Sequence, residues 1–172
     1  ALINVTLDDG SHLLANKKVS SFTNREELLL IPEAKSIFPF LLQDKLISQG
    51  ALFNEGDLYL EKISHDRNLL TGQNPWSTWT LAESMIQQLG YTPKDRNRTS
   101  EENTISILST YETKGYDEAK LEIKDFISHQ RKPVDRILLA MHSIVAAMQW
   151  KVGKFYDLLG LASYAKSISE NI

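Results

Sequence analysis

At Leu69-Leu70-Thr71-Gly72-Gln73-Asn74-Pro75 a short apolar run breaks directly into a helix start. Asn74 is a good N-cap. Pro75 suits the first helical position, because the N–H it lacks would find no partner there anyway. Leu81, Ala82, Met85, Ile86 and Leu89 then recur at helical spacing as far as Gly90. A strand running straight into a capped helix is the basic unit of a doubly wound α/β domain. It narrows what the preceding residues can build more than any composition does.

Those preceding residues alternate weakly. An Asp8-Asp9-Gly10-Ser11 turn and a break at Asn16-Lys17-Lys18 predict two short strands between Gly10 and Phe22. Glu26 to Leu30 predicts one helical turn, stopped by Pro32. Pro39 to Gln49 reads as a helix with Phe40, Leu42, Leu46 and Ile47 on its apolar side and Gly50 as its stop. Ala51-Leu52-Phe53 and Leu58 to Ile63 follow as further apolar runs, and Ser64 to Asn68 reads as a polar turn before Leu69.

Pro93 to Asn97 is a polar connector, and beyond it only helices are expected. Thr99 and Glu102 have the spacing of a capping box. Four apolar stripes follow, marked by Ile107 and Leu108, by Ala119 and Ile123, by Ile137, Leu138, Met141, Val145 and Met148, and by Leu158, Leu159 and Ala165. The third is the cleanest, and its periodicity predicts that Met141 faces a core. Gly115 and Gly153, 38 residues apart, punctuate two helical hairpins. This resembles a tetratricopeptide array, whose period is about 34 residues, although a plain four-helix unit has the same signals.

Several classes are excluded or disfavoured. The 172 residues contain no cysteine, which removes a disulfide framework, a thiolate metal site and a cysteine nucleophile within the chain. Net charge is −3, divided as −2 over residues 1–98 and −1 over 99–172, so neither part is a basic nucleic-acid binder. The best apolar run, Ile144 to Met148, is far shorter than the roughly 20 residues of a membrane helix. No P-loop, GxSxG, HExxH or dinucleotide fingerprint occurs, and no cofactor or metal site is expected. His65 beside Asp66 sits in the expected turn without a nucleophile near it, His129 and His142 fall on tail helices, and Glu26-Glu27 and Glu101-Glu102 read as solvated or capping carboxylates.

Four strings in order carry a family resemblance. Lys18-Val19-Ser20-Ser21-Phe22-Thr23-Asn24-Arg25-Glu26-Glu27 is similar to the KVTGFTNxEE segment of the ThiJ/PfpI family, part of the class I glutamine amidotransferase-like superfamily. Pro39 to Leu46 resembles its PFLLEDKL, Gly50-Ala51 its GA before the next strand, and Asn68 to Pro75 its NLITGQNP. Ser21 departs from the family's usual Gly, and Trp76 and Trp79 stand where small residues are common. The resemblance covers residues 1 to about 91 and none of the helical tail.

The resemblance implies that residues 1–95 are the C-terminal part of a flavodoxin-like doubly wound α/β domain, while the stripes beyond the connector predict that residues 96–172 are an all-α region of two helical hairpins. The family sets a cysteine followed by histidine on a strand-to-helix elbow, where helix N-terminal amides lower the thiol pKa and stabilise an oxyanion. Ala1-Leu2-Ile3-Asn4-Val5 resembles the end of that string, so the Cys-His pair is expected just before Ala1 and no catalytic residue within the chain. The loop Thr71, Gly72 and Asn74 is the expected pocket rim, since open α/β sheets bind ligands where strands end and helices begin. The parent is then expected to be a cytoplasmic, cysteine-dependent enzyme acting on small carbonyl compounds, or an amidase or peptidase, working as a homodimer or with a protein partner. The alternative is a binding or chaperone-like module whose helical tail contacts partners.

Overall fold

Thr23 and Glu26 close a capping box at the start of the first helix: Thr23 Oγ1 accepts from Glu26 N–H, and the Glu26 carboxylate accepts from Thr23 N–H. In the computed structural model, which describes residues 2–170, this places α1 at Asn24–Leu30. The helix thus begins a half-turn earlier than the apolar pattern predicts. A short α2, Ala34–Ile37, follows Pro32. The helix expected from Pro39 starts only at Leu42 and runs to Ser48 as α3. Leu41 remains extended, because its buried side chain plugs the core from that conformation, and Phe40 and Ile47 of the expected apolar side are exposed.

The chain is mixed α/β and mostly helical, with 56% helix and small sheets. It forms two compact units, Ala1–Lys94 and Asp95–Ile172.

In the first unit β1 (Lys18–Val19) and β2 (Leu52–Phe53) pair in parallel, with Lys18 opposite Leu52, and α1 to α3 make the crossover between them. Parallel neighbours require such a crossover. Only one strand forms between Gly10 and Phe22. The other expected strand is reduced to a single antiparallel bridge, Thr6 to His12, across the Asp-Asp-Gly turn. Leu58 to Lys62 is not extended. The strand begins at Ile63 and includes Ser64, His65 and Asp66, the residues expected to turn. This β3 (Ile63–Asp66) pairs antiparallel with β4 (Leu69–Gly72) across a two-residue turn in which Arg67 is left-handed, φ 54°. Leu14, Val19, Leu46 and Ala51 form a core cluster beneath the parallel pair.

β4 runs into a 3₁₀ turn at Pro75–Ser77, capped by Asn74 Oδ1 on Trp76 N–H, and then into α4, Thr78–Gln88. The strand-to-capped-helix junction is therefore present. α4 nevertheless buries none of its residues fully, and Met85, Ile86 and Leu89 are exposed.

The second unit consists of α5 (Ser100–Lys114), α6 (Tyr116–Lys124) continuing through a π-helical turn at Asp125–His129, α7 (Arg136–Met148) and α8 (Val152–Ser169). Thr99 and Glu102 form their capping box. Gly115, at φ 93°, allows α5 to turn into α6. Ile107, Leu108, Ala119, Ile123, Leu158 and Ala165 are buried, as their stripes predict.

The stripe on α7 is a correction. Ile137, Met141 and Met148 of the stripe face outward, as does Ile144, while Leu138 is buried and Val145 half-buried; Leu139, His142, Ser143 and Ala146 complete the buried side. The buried side of α7 mixes large residues (Leu138, Leu139, His142) with small ones (Ser143, Ala146).

Candidate functional site

The junction between β4 and α4 is built around a carboxylate. Glu26 is fully buried. Its Oε1 accepts from Tyr59 N–H at 2.8 Å, Gln73 Nε2 at 3.0 Å and Asn74 Nδ2 at 2.9 Å, and its Oε2 accepts from Thr23 N–H and Thr23 Oγ1, both at 3.0 Å. A buried charge needs this density of donors. The expectation that Glu26 is solvated is therefore wrong, although its capping role holds. The Tyr59 hydroxyl donates to Glu26 carbonyl O at 2.5 Å. Partial burial, with the Glu26 and Glu27 charges beside it, pushes this phenol up to about 12. Tyr59, whose N–H donates to Glu26, is left-handed, φ 54°, within what reads in sequence as an apolar run.

Asn74 has no polar group to spare. Its Nδ2 donates to Glu26 and to Leu60 O, and its Oδ1 caps the 3₁₀ turn. Gly72 stands where a Cβ would come within 2.8 Å of Ser77 Cβ, so this strand end must be glycine for the helix start to fold against it. Ser77 Oγ in turn bonds Lys62 O and Lys62 N–H. Thr71 Oγ1 accepts from Ser20 N–H at 2.9 Å, and Ser20 Oγ lies 2.7 Å from Ser64 Oγ.

Of the three expected rim residues, Thr71 alone lines a cavity in this unit, an open, mostly apolar space of about 170 Å³ bordered by Ser20, Ser21, Leu14, Val19 and Leu46. Gly72 and Asn74 stand behind it as supports. The cavity wall carries hydroxyls and aliphatic carbons and no titratable side chain. It can therefore shape and hydrogen-bond a small molecule, while its hydroxyls have no titratable neighbour among the lining residues to activate them. His65 and Asp66 do not act together: His65 Nε2 lies 2.6 Å from Arg67 O, while Asp66 Oδ2 accepts from Lys18 N–H. Among the described residues no group of three or more His, Asp or Glu is placed to hold a metal ion. Nor is any helix among them long and apolar enough to cross a membrane.

Sequence reasoning missed the Glu26 centre. Its signal was present in the Thr23-x-x-Glu26 capping-box spacing and in the two adjacent amides, Gln73-Asn74, which could meet a carboxylate.

No family model and no curated protein matches the chain. Two solved structures do. One is the X-ray structure of Francisella tularensis Rapid Encystment Protein 24 kDa (REP24), 31% identical, with a TM-score of 0.49. The other is the crystallographic structure of APC35852, 37% identical, also with a TM-score of 0.49. Each match covers 52% of this chain and 39% of the solved chain, so this chain spans well under half the length of either.

Proposed function

We propose that residues 1–95 are the C-terminal part of a ThiJ/PfpI-like, flavodoxin-like domain in a cytoplasmic protein, and that the parent is a cysteine-dependent enzyme acting on small carbonyl compounds. The observation that carries this is the convergence of the family-like strings. The first and fourth, 50 residues apart in sequence, meet in the Glu26–Gln73–Asn74 network. The first string supplies β1, which pairs in parallel with β2, the strand that directly follows the third string. The exposed apolar side of α4 and the open cavity beside Thr71 further support a domain that another segment completes.

In this reading an upstream thiolate adds to the substrate carbonyl carbon and the adjacent histidine carries the proton to and from the oxygen. Ser20, Ser21 and Thr71 form the floor beside the reacting carbon, while Gly72 and Asn74 hold that floor in place. No cofactor enters. The helical tail is a pair of tetratricopeptide-like hairpins.

The test is methylglyoxal consumption by the full-length parent, by the parent with its upstream cysteine changed to serine, and by the 172-residue chain. Turnover by the parent alone is expected. Turnover by the 172-residue chain, or by the serine variant, overturns the proposal.

A further inference from the structure

We infer that the α7–α8 hairpin is a docking face for an amphipathic protein helix with acidic flanks. Along α7 the exposed residues after Arg136 are Ile137, Met141, Ile144, Ala147 and Met148, without a charge among them. Ile137, Met141, Ile144 and Met148 are 73, 55, 57 and 47% exposed, at the i, i+4, i+7, i+11 spacing of a helix seam. They extend over about 16 Å of helix. Trp150 follows at the hairpin turn, left-handed with φ 60° and 89% exposed. Val152, Tyr156 and Leu159 continue the exposed apolar series on α8. A patch of this kind on a protein surface marks an interaction site.

Shape and charge select the occupant. At the α7 N-terminal end the two helices leave an open groove of about 350 Å³, floored by the small residues Ala140, Ala162 and Ser163 and walled by Ile137 and Leu159. A concave slot of this sort takes a bulky apolar side chain from a partner helix, whereas a lipid surface needs none. Arg136 and Lys166 stand at the groove, and Lys151 follows Trp150 in the turn at the far end of the hairpin. Every exposed charged residue from 136 to 166 is basic, in a chain whose net charge is −3. The nearest exposed acid, Glu170, lies one turn beyond Lys166, 3.8 Å from its Nζ. Lys154 and Asp157, by contrast, are engaged with Glu112 and Tyr111. A second copy of the hairpin would bring like charges together at both ends, which costs association. A helix carrying an apolar seam between acidic residues complements both the seam and the rim. This inference is independent of the carbonyl chemistry and stands or falls separately from it.

The experiment pans a phage-displayed helical peptide library, with leucines fixed at i, i+4, i+7 and i+11 and random flanks, against the full chain. The selected peptides are then titrated against Arg136→Glu/Lys166→Glu and Ile144→Glu. All three positions are exposed, and unchanged helical circular dichroism and melting temperature confirm folding. Expected are flanks enriched in Asp and Glu, and binding weakened at least tenfold by either variant. Restoration of binding to the charge-reversed variant by Lys-flanked peptides is also expected. Absence of enrichment, neutral or basic flanks, or affinity indifferent to both variants overturns the inference. So does a dimer in light scattering that Ile144→Glu splits, or sedimentation of the chain with phosphatidylserine vesicles that Ile144→Glu abolishes.

Discussion

Asn74 Nδ2 and Glu26 Oε1, 48 residues apart in sequence, meet at 2.9 Å, and the same Asn74 side chain caps the turn that opens α4. One amide therefore fixes where the last strand of the first unit ends and where its last helix begins. It also holds the carboxylate that closes the first helix.

Replacing Glu26 by Gln puts an amide nitrogen where one carboxylate oxygen accepts from donors, and so sets donor against donor. The cost expected is about 3 kcal/mol, the range for losing charge-assisted bonds in a buried network. In a Trp150→Phe background the remaining tryptophans, Trp76 and Trp79, both report on the first unit. Urea titration of their fluorescence should show the loss. A midpoint unchanged from the parent would mean that the network does not hold this unit together.

Gly72→Ala should cost about 1–3 kcal/mol through overpacking, because the new methyl would have to displace Ser77, which itself bridges Lys62. Thr71→Ser, which keeps the acceptor for Ser20 N–H, should leave the same melting curve within a degree. If Gly72→Ala melts with the parent, the approach of strand end to helix start is looser than drawn above.

Met141→Asp should be nearly neutral, within about 0.5 kcal/mol, because the side chain is exposed. Leu139→Ala, one helix face away and fully buried, should cost about 2–5 kcal/mol. Thermal melting of the two variants separates these faces of α7. A strongly destabilised Met141→Asp would restore the inward reading of that stripe.

His142 is buried on α7, and burial, helped by the charge of Lys154, lowers its pKa to about 4 from an ordinary 6.5. The unfolded chain therefore binds a proton that the folded chain refuses between these values. The resulting stability is fully present above pH 6.5 and declines as pH falls towards 4, by about 3 kcal/mol at the limit. The difference in unfolding free energy between the parent and His142→Gln, followed from pH 7 to 4, should shrink across that window. A difference that stays constant with pH would show that His142 does not titrate on unfolding.

The local signals were the legible ones. The Thr99 capping box, the Asn74-Pro75 start and the turn at Gly115 are contained in a few adjacent residues, and each stands where its chemistry predicts. Distant partnership was not legible. Tyr59 N–H donates to Glu26, 33 residues away, and no local pattern announces it. On α7 the predicted stripe straddles the two sides: Leu138 is buried and Val145 half-buried, whereas Ile137, Met141 and Met148 are exposed. Ser143 and Ala146 look inert in sequence yet are buried, while the bulkier Ile137 and Met141 remain outside. At the candidate site Thr71 borders the cavity, whereas Gly72 and Asn74 support it from behind.

The tie between Glu26 and Asn74 also orders events during synthesis. Segments around residues 23–26, 54–60 and 71–77 must all have left the ribosome before the first unit can close, because its central bonds span nearly half a hundred residues. The helical hairpins after residue 99 rest largely on neighbours in sequence and can form as each pair emerges, and such local topologies assemble fastest. The first unit thus waits on its own last segment, with its apolar residues open to chaperones and to mispairing until residues 71–77 have emerged.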